Sequence, residues 1–195
     1  MEEQLSSFYA IKGKNLFDFI LASILIILFS PLLGLIAILI RLHSRGPILF
    51  HQKRIGLHNV PFVMYKFRSM YIDVPEYAAK PDSPDDPRIT PIGKWLRQTS
   101  LDELPQLFNV MKGEMSLVGP RPEMPFLAEQ YKEWENMRHI VRPGMTGLWQ
   151  LGPHRYASIR DGIPLDLEYI ENLSFWNDLK ILVRTCKVFW DNNTH

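Results

Sequence analysis

The chain has 195 residues, 46% of them hydrophobic and 22% charged, which is enough apolar material for one domain with a sizeable core and excludes a disordered or collagen-like polymer. Its 22 Lys and Arg against 21 Asp and Glu leave a net charge of +1, so bulk charge argues for no nucleic-acid partner, and the single cysteine, Cys186, excludes an internal disulfide or a zinc site built on two thiolates. The total hides a split: residues 1–72 carry eight basic and three acidic side chains, a balance of +5, and residues 73–195 carry 14 and 18, a balance of −4.

From Phe19 to Ile40 there are 22 residues without a charge. As one helix they would reach about 33 Å at ~1.5 Å per residue, enough for a bilayer core. The run is longer than the apolar part of a usual signal peptide, and no small-residue cleavage site precedes a mature domain. Ser30-Pro31 sits at its middle, where proline removes a backbone donor and crowds the carbonyl of Ile27. A kinked spanning helix and a re-entrant hairpin both accommodate that break. Lys12 and Lys14 on one side, with Arg41 and Arg45 on the other, suit two ends on the same face and favour a helix that dips in and returns.

Beyond Arg41, Ile48–Gln52 and Val60–Phe67 read as strands around a turn at Gly56-Leu57-His58-Asn59. Five prolines between residues 73 and 91 mark a loop. Helices are expected over Gly93–Gln98, Asp102–Met111 and Pro122–Asn136, the last with Phe126, Tyr131 and Trp134 available for a core face, and over Asp166–Trp190 as one or two more. In that final stretch Trp176, Leu179, Val183, Cys186 and Trp190 fall near helical spacing, a stripe that faces either a core or a membrane interface. The fold expected is α-rich α+β with little regular sheet.

Ser100-Leu101-Asp102-Glu103-Leu104-Pro105-Gln106 places two adjacent carboxylates at a helix start. Ser-x-x-Glu is also a capping box, but with Ser100 as the cap Pro105 would break a helical bond. With Asp102 as the cap, Pro105 falls in the tolerated first turn, and free N–H groups there favour anions. Basic residues surround this pair in stiff settings: Lys66-Phe67-Arg68, Arg88, Arg97, Gly119-Pro120-Arg121-Pro122 and Arg142-Pro143-Gly144-Met145-Thr146-Gly147. Arginine's flat fork of donors suits phosphate oxygens.

Four motifs in order, Lys66-Phe67-Arg68-Ser69-Met70, Ser100 to Val110 around Asp102-Glu103, Met115 to Pro122, and Arg142 to Gly147, resemble the bacterial sugar transferases, the monotopic phosphoglycosyl transferases. The resemblance runs from about Lys14 to Phe189 and matches the small catalytic-core form. It implies transfer of a sugar 1-phosphate from a nucleotide diphosphate sugar, usually UDP-linked, to a polyprenol phosphate such as undecaprenyl phosphate, with UMP leaving, to start a glycoconjugate. Asp102 matches the nucleophile that forms a covalent phosphosugar intermediate, Glu103 its partner, and Mg²⁺ is implied at Asp102. Glu103 alternatively stays a cap or takes the acceptor's proton. Ser30 and Pro31 match the break of a re-entrant membrane helix. Residues 1–45 would then be a tail and membrane hairpin, and residues 46–195 a cytosolic catalytic domain with interfacial helices, held on the cytoplasmic face of the bacterial inner membrane.

Under the same resemblance Arg121, Lys66, Arg68, Arg97 and Arg142, with Arg88, Gln150 and Arg155, are the candidates for the donor's phosphates and nucleotide. After Gln150 the pattern departs: relatives often carry an Asn-Gly-Arg-Asn type turn, whereas this chain reads Leu151-Gly152-Pro153-His154-Arg155, so Arg155 matches only with a shift of one residue. His154 stands where the usual arginine would, or is a plain loop histidine. The partners expected are the nucleotide sugar, the polyprenol phosphate and membrane lipids, with no nucleic acid and a homodimer left open. Direct transfer of the sugar to a lipid and a non-catalytic scaffold on anionic lipid are the rival readings.

Overall fold

A computed structural model describes residues 6–78, 81, 83, 85–152 and 159–190, the last two without their side chains. A π-helical turn, Tyr9–Gly13, leads into helix α1, Lys14–His43. The run Tyr9–His43 is the one described helix long and apolar enough to cross a membrane, and only 11% of its most apolar stretch is buried against the rest of the chain. Pro31 lies inside α1, and its missing N–H leaves the Ile27 carbonyl without its helical donor. Ser30 supplies the replacement, its Oγ donating to Ile27 O at 2.8 Å.

Both ends of α1 are fastened to the same body. Near its start, Ala22 joins a core with Phe62, Met64, Leu107, Val110, Leu117, Tyr169 and Ile181. Near its end, Ile36 and Ile40 form a second core with Phe67 and Leu96. Between them Ile24, Ile27 and Leu28 are exposed. Lys14 does not serve as a charged flank at a lipid surface, as its spacing suggested. It is buried, with Nζ 2.6 Å from Asp178 Oδ2 and 3.8 Å from Asp18 Oδ2, because the helix start sinks into the body. Asp18 Oδ1 in turn accepts from Leu117 N at 3.3 Å.

Strands β1 (Leu49–Ile55) and β2 (Pro61–Phe67) form the expected antiparallel hairpin, Leu49 opposite Phe67 and Ile55 opposite Pro61. His58 and Asn59 take positive φ in its turn. Helix α2 (Pro91–Gln98) starts two residues earlier than expected, with Pro91 in the tolerated first turn and Thr90 Oγ1 accepting from Gly93 N at 3.0 Å. A Cβ on Gly93 would lie 1.9 Å from Ser69 O, so only glycine lets α2 sit this close to the end of the hairpin.

Two three-residue strands, β3 (Ser116–Val118) and β4 (Gly144–Thr146), pair in parallel. They are too short for a period to show in sequence. The strands join the Gly119 to Pro122 loop to the Arg142 to Gly147 segment, Gly119 N bonding Thr146 O at 2.9 Å and Gly144 N bonding Pro120 O at 2.8 Å. A Cβ on Gly144 would fall 2.0 Å from Gly119 N.

The single helix expected over Pro122–Asn136 is two four-residue helices, α4 (Pro125–Ala128) and α5 (Glu133–Asn136). Its apolar stripe does not face the core: Phe126 and Trp134 are exposed, while Glu135, Arg138 and His139 are buried. A polar network organises this region in place of an apolar face. Arg138 bonds Asp166 at 2.7 Å and Tyr131 Oη at 3.1 Å, and Tyr131 Oη donates to Glu123 Oε2 at 2.8 Å. After a short helix α6 (Leu148–Leu151), the C-terminal stretch folds as α7 (Ile163–Glu171) and α8 (Phe175–Trp190). On α8 the buried residues are Asp178 and Ile181, whereas Trp176, Val183 and Cys186 of the stripe are exposed. These three face away from the body, Leu179 is half-buried, and the side chain of Trp190 lies outside those described. Among the described residues the result is helix-rich with two small two-stranded sheets.

Candidate active site

Asp102 and Glu103 sit in a 3-10 turn, Leu101–Glu103, and α3 begins only at Gln106 and ends at Met111. Neither expected cap forms. Ser100 caps nothing with its side chain and takes a left-handed φ of 53°, and Pro105, which has no N–H to give, occupies the cap position of α3. A non-glycine residue at positive φ costs free energy that surrounding packing must offset, and here it stands two residues before Asp102. Asn109 on α3 fixes the turn against the hairpin. Fully buried, it accepts from Tyr65 N at 3.0 Å and donates to Val63 O at 2.7 Å, pairing with the edge of β2 as another strand would.

The two carboxylates are then treated differently. Glu103 Oε1 takes Lys66 Nζ at 2.7 Å and Arg121 Nη2 at 3.2 Å. Burial pushes Glu103 up, but Lys66 and Arg121 outweigh it and hold the carboxyl below its usual range. Asp102 is buried and, among the described residues, makes neither a hydrogen bond nor an ion pair. Burial pushes its carboxyl above the usual aspartate range, Glu103 adds to the rise, and Lys66, Arg97 and Arg121 pull against it. One carboxylate is therefore committed to orienting two cations. The other stays free in their field, which is what a nucleophile for a phosphorus centre requires.

The profile of the bacterial sugar transferase family matches residues 9–192. The chain belongs to this family. An undecaprenyl-phosphate glucose phosphotransferase of Komagataeibacter xylinus is 47% identical over 187 residues, covering 89% of this chain and 35% of the relative. A UDP-N-acetylgalactosamine-undecaprenyl-phosphate N-acetylgalactosaminephosphotransferase of Aeromonas hydrophila is 42% identical over 189 residues, 93% of this chain and 44% of that protein. A UDP-glucose:undecaprenyl-phosphate glucose-1-phosphate transferase of Caulobacter vibrioides is 42% identical over 188 residues, 88% of this chain and 67% of its own length. The chain thus spans less than half the length of the first two relatives.

Of the residues singled out from sequence, the fold brings Asp102, Glu103, Lys66 and Arg121 together, with Arg97 placed so that its charge acts on Asp102. Arg68 is placed elsewhere: buried, it donates to Arg45 O at 2.8 Å and to Ser44 O and Oγ at 2.9 and 2.6 Å, tying the end of α1 to the hairpin. Arg142 bonds Asn15 Oδ1 at the other end of α1. Arg88 is engaged with Asp86 at 2.7 Å, and Asp86 in turn feels Arg97. Gln150 lies against Gly147, its amide buried and without a partner among the described residues, and Arg155 and His154 lie outside those residues. Sequence reasoning missed Arg54 and Arg138. The first was legible only through register: pairing Gln52 with Met64 and Arg54 with Phe62 puts Arg54 and Lys66 on one face of the hairpin. The second has no local signal, since a fully buried arginine is recognised by its partners alone.

Among the described residues no three acidic, histidine or cysteine side chains converge into an all-protein metal cage. Mg²⁺ does not need one, since it is usually held by one or two carboxylates together with substrate phosphates and water. A free Asp102 carboxylate beside cations suited to phosphate oxygens fits that manner of binding.

These charges set a pH test. If ionised Asp102 is the reacting group, the acid limb of kcat/KM lies above the ordinary aspartate value of about 3.9. Lys66→Gln removes a charge that favours the ionised form and moves the limb to higher pH, while Glu103→Gln removes one that opposes it and moves the limb lower. Shifts in the same direction would show that another group titrates.

Proposed function

We propose that the chain transfers a sugar 1-phosphate from a UDP-sugar to undecaprenyl phosphate in two steps through Asp102. The observation that carries this reading is the buried, unpaired Asp102 carboxylate beside Glu103, which is itself held by Lys66 and Arg121. Asp102 attacks the sugar-side phosphorus and the nucleoside monophosphate departs; the polyprenol phosphate then takes the phosphosugar from Asp102. Two steps allow a water-soluble donor and a lipid acceptor to use one site in turn. Lys66, Arg97 and Arg121 offset the repulsion between a carboxylate and a diphosphate. Mg²⁺ held at Asp102 would supply further charge neutralisation at the phosphates. The relatives' names, which specify undecaprenyl phosphate and glucose or N-acetylgalactosamine, support the substrate class.

The decisive measurement is on products. Incubation of the membrane fraction with UDP-sugars and undecaprenyl phosphate is expected to release UMP and give a lipid with a diphosphate-linked sugar. Release of UDP with a monophosphate-linked product would establish direct glycosyl transfer instead, and no product with any donor would favour a scaffold.

We further place the domain at the cytoplasmic face of the inner membrane, with α1 entering one leaflet and returning. Packing of both ends of α1 on one body supports this, because a spanning helix sends its ends to opposite sides. The outward stripe of α8 and the exposed Phe8 and Trp176 suit a membrane interface. With Cys186 replaced by serine, a cysteine at Ser6 should be labelled in permeabilised cells and protected in intact ones. Labelling from outside would refute the hairpin.

A further inference from the structure

Arg54 shares a cleft with Met64, Lys66, Gln106, Arg121 and Pro122. Lys66 and Arg121 both form ion pairs with Glu103, but Arg54 does not. Its Nη2 donates to Gln52 Oε1 at 2.5 Å and its Nη1 to Pro122 O at 3.3 Å, both neutral acceptors, and its buried Nε has none. Among the described residues no carboxylate comes within ion-pair distance of it. A largely buried cation beside a second cation is costly unless an anion completes the site. Burial and the neighbouring Arg121 push Arg54 down to about 10, which leaves it charged at neutral pH. Lys66 and Arg121 also hold Glu103, the neighbour of Asp102, while the charges acting on Arg54 are Arg121, Glu123 and Glu103. The cleft of Arg54 thus shares two cations, Lys66 and Arg121, with the Asp102-Glu103 pair, so a diphosphate with one phosphorus at Asp102 can extend its other phosphoryl group toward Arg54.

We propose that Arg54 binds the nucleotide-side phosphoryl group of the donor, the one that departs with the nucleoside. This inference rests on the two-step transfer proposed above. As Asp102 Oδ bonds to the sugar-side phosphorus, the bond from that phosphorus to the bridging oxygen breaks. The electron pair stays on that oxygen, and the departing phosphate gains one negative charge, which Arg54 meets. Arg54 has no part in the second step, because the nucleotide has left before undecaprenyl phosphate attacks.

Arg54→Gln and Arg54→Lys, purified in lipid nanodiscs, separate the steps. In single turnover, Arg54→Gln is expected to slow UMP release at least about 10²-fold, as loss of an oxyanion donor does, and to weaken UMP binding measured by calorimetry about tenfold. Discharge of enzyme loaded by long incubation with donor should stay within about threefold of the parent protein. Arg54→Lys keeps the charge without the fork and should fall between. It also carries the same comparison if loss of the Pro122 contact makes the glutamine variant melt below the assay temperature. Equal slowing of both steps, or unchanged UMP affinity, overturns the assignment. If the parent protein forms no adduct with any UDP-sugar, the two-step function fails, and UMP affinity alone then decides whether Arg54 holds a nucleotide phosphate.

Discussion

Asp102→Asn is expected to abolish the phosphosugar adduct and to lower UMP release by about 10³-fold or more, the scale on which loss of an attacking group is felt. The substitution keeps the size and planarity of the side chain and removes its charge and nucleophilicity. Its effect on stability should have the opposite sign. A carboxyl raised in the folded protein above its unfolded value opposes folding once the pH exceeds the unfolded value, so at neutral pH the amide removes a penalty. Asp102→Asn should therefore melt no lower than the parent protein at pH 7.5, and its advantage should shrink as the pH falls toward 4. Intact-protein mass spectrometry after incubation with a UDP-sugar reads the adduct, and a thermal melt in detergent reads the stability. Turnover close to that of the parent would end the covalent reading, and a collapsed melt would reassign Asp102 to structure.

Arg138 should give the largest loss of stability. Its side chain is fully buried, bonded to Asp166 at 2.7 Å and 4.0 Å from Glu123, and its Nη2 donates to Arg121 O at 2.6 Å. Arg138→Met strands two buried acids, and breaking a buried pair by removing one member costs about 3–5 kcal/mol. For a chain of this size that is a fall of about 6–20 °C in melting temperature. Burial already raises Asp166 to about 6 against the pull of Arg138. Without that pull the group rises further, so the loss should be greater at pH 8 than at pH 5.5, where Asp166 accepts a proton. Adding Asp166→Asn to Arg138→Met should recover part of the loss. Equal losses at both pH values would show that packing and not charge is what Arg138 provides. Arg138 also carries the backbone of Arg121, so partly stable variants should show a raised KM for the donor.

How much of this was legible beforehand follows from the range of each signal. The hairpin Leu49–Phe67 and the helix over Gly93–Gln98 were readable because propensity, turn residues and caps lie within a few positions of each other. The split of Pro122–Asn136 was not. The buried charged side chains in and just after it are Glu123, Glu135 and Arg138, and such residues read as exposed until Asp166 and Arg160 arrive from elsewhere to pair with them. Lys14 misled for the same reason, since its partner Asp178 is 164 residues away. At the site, the acidic pair and the phosphate-suited arginines were visible as motifs. Their division of labour was not, because nothing in Asp102-Glu103 says which carboxylate will meet Lys66 and Arg121.

By itself the sequence determined the 22-residue uncharged run with its Ser30-Pro31 interruption, the α-rich composition and the family motifs that contain Asp102, Lys66 and Arg121. These are local patterns, set by composition, period and spacing. Only the tertiary structure decided that Glu103 is committed and Asp102 free, that Arg68 and Arg142 fasten the two ends of the apolar helix, and that Arg54 stands in the cleft with no ion pair among the described residues. The physical reason is that charge and burial are properties of the surroundings. The same arginine is a phosphate ligand, a staple or an uncompensated cation according to which distant acceptor the fold brings within about 3 Å, and chain spacing carries no record of that distance.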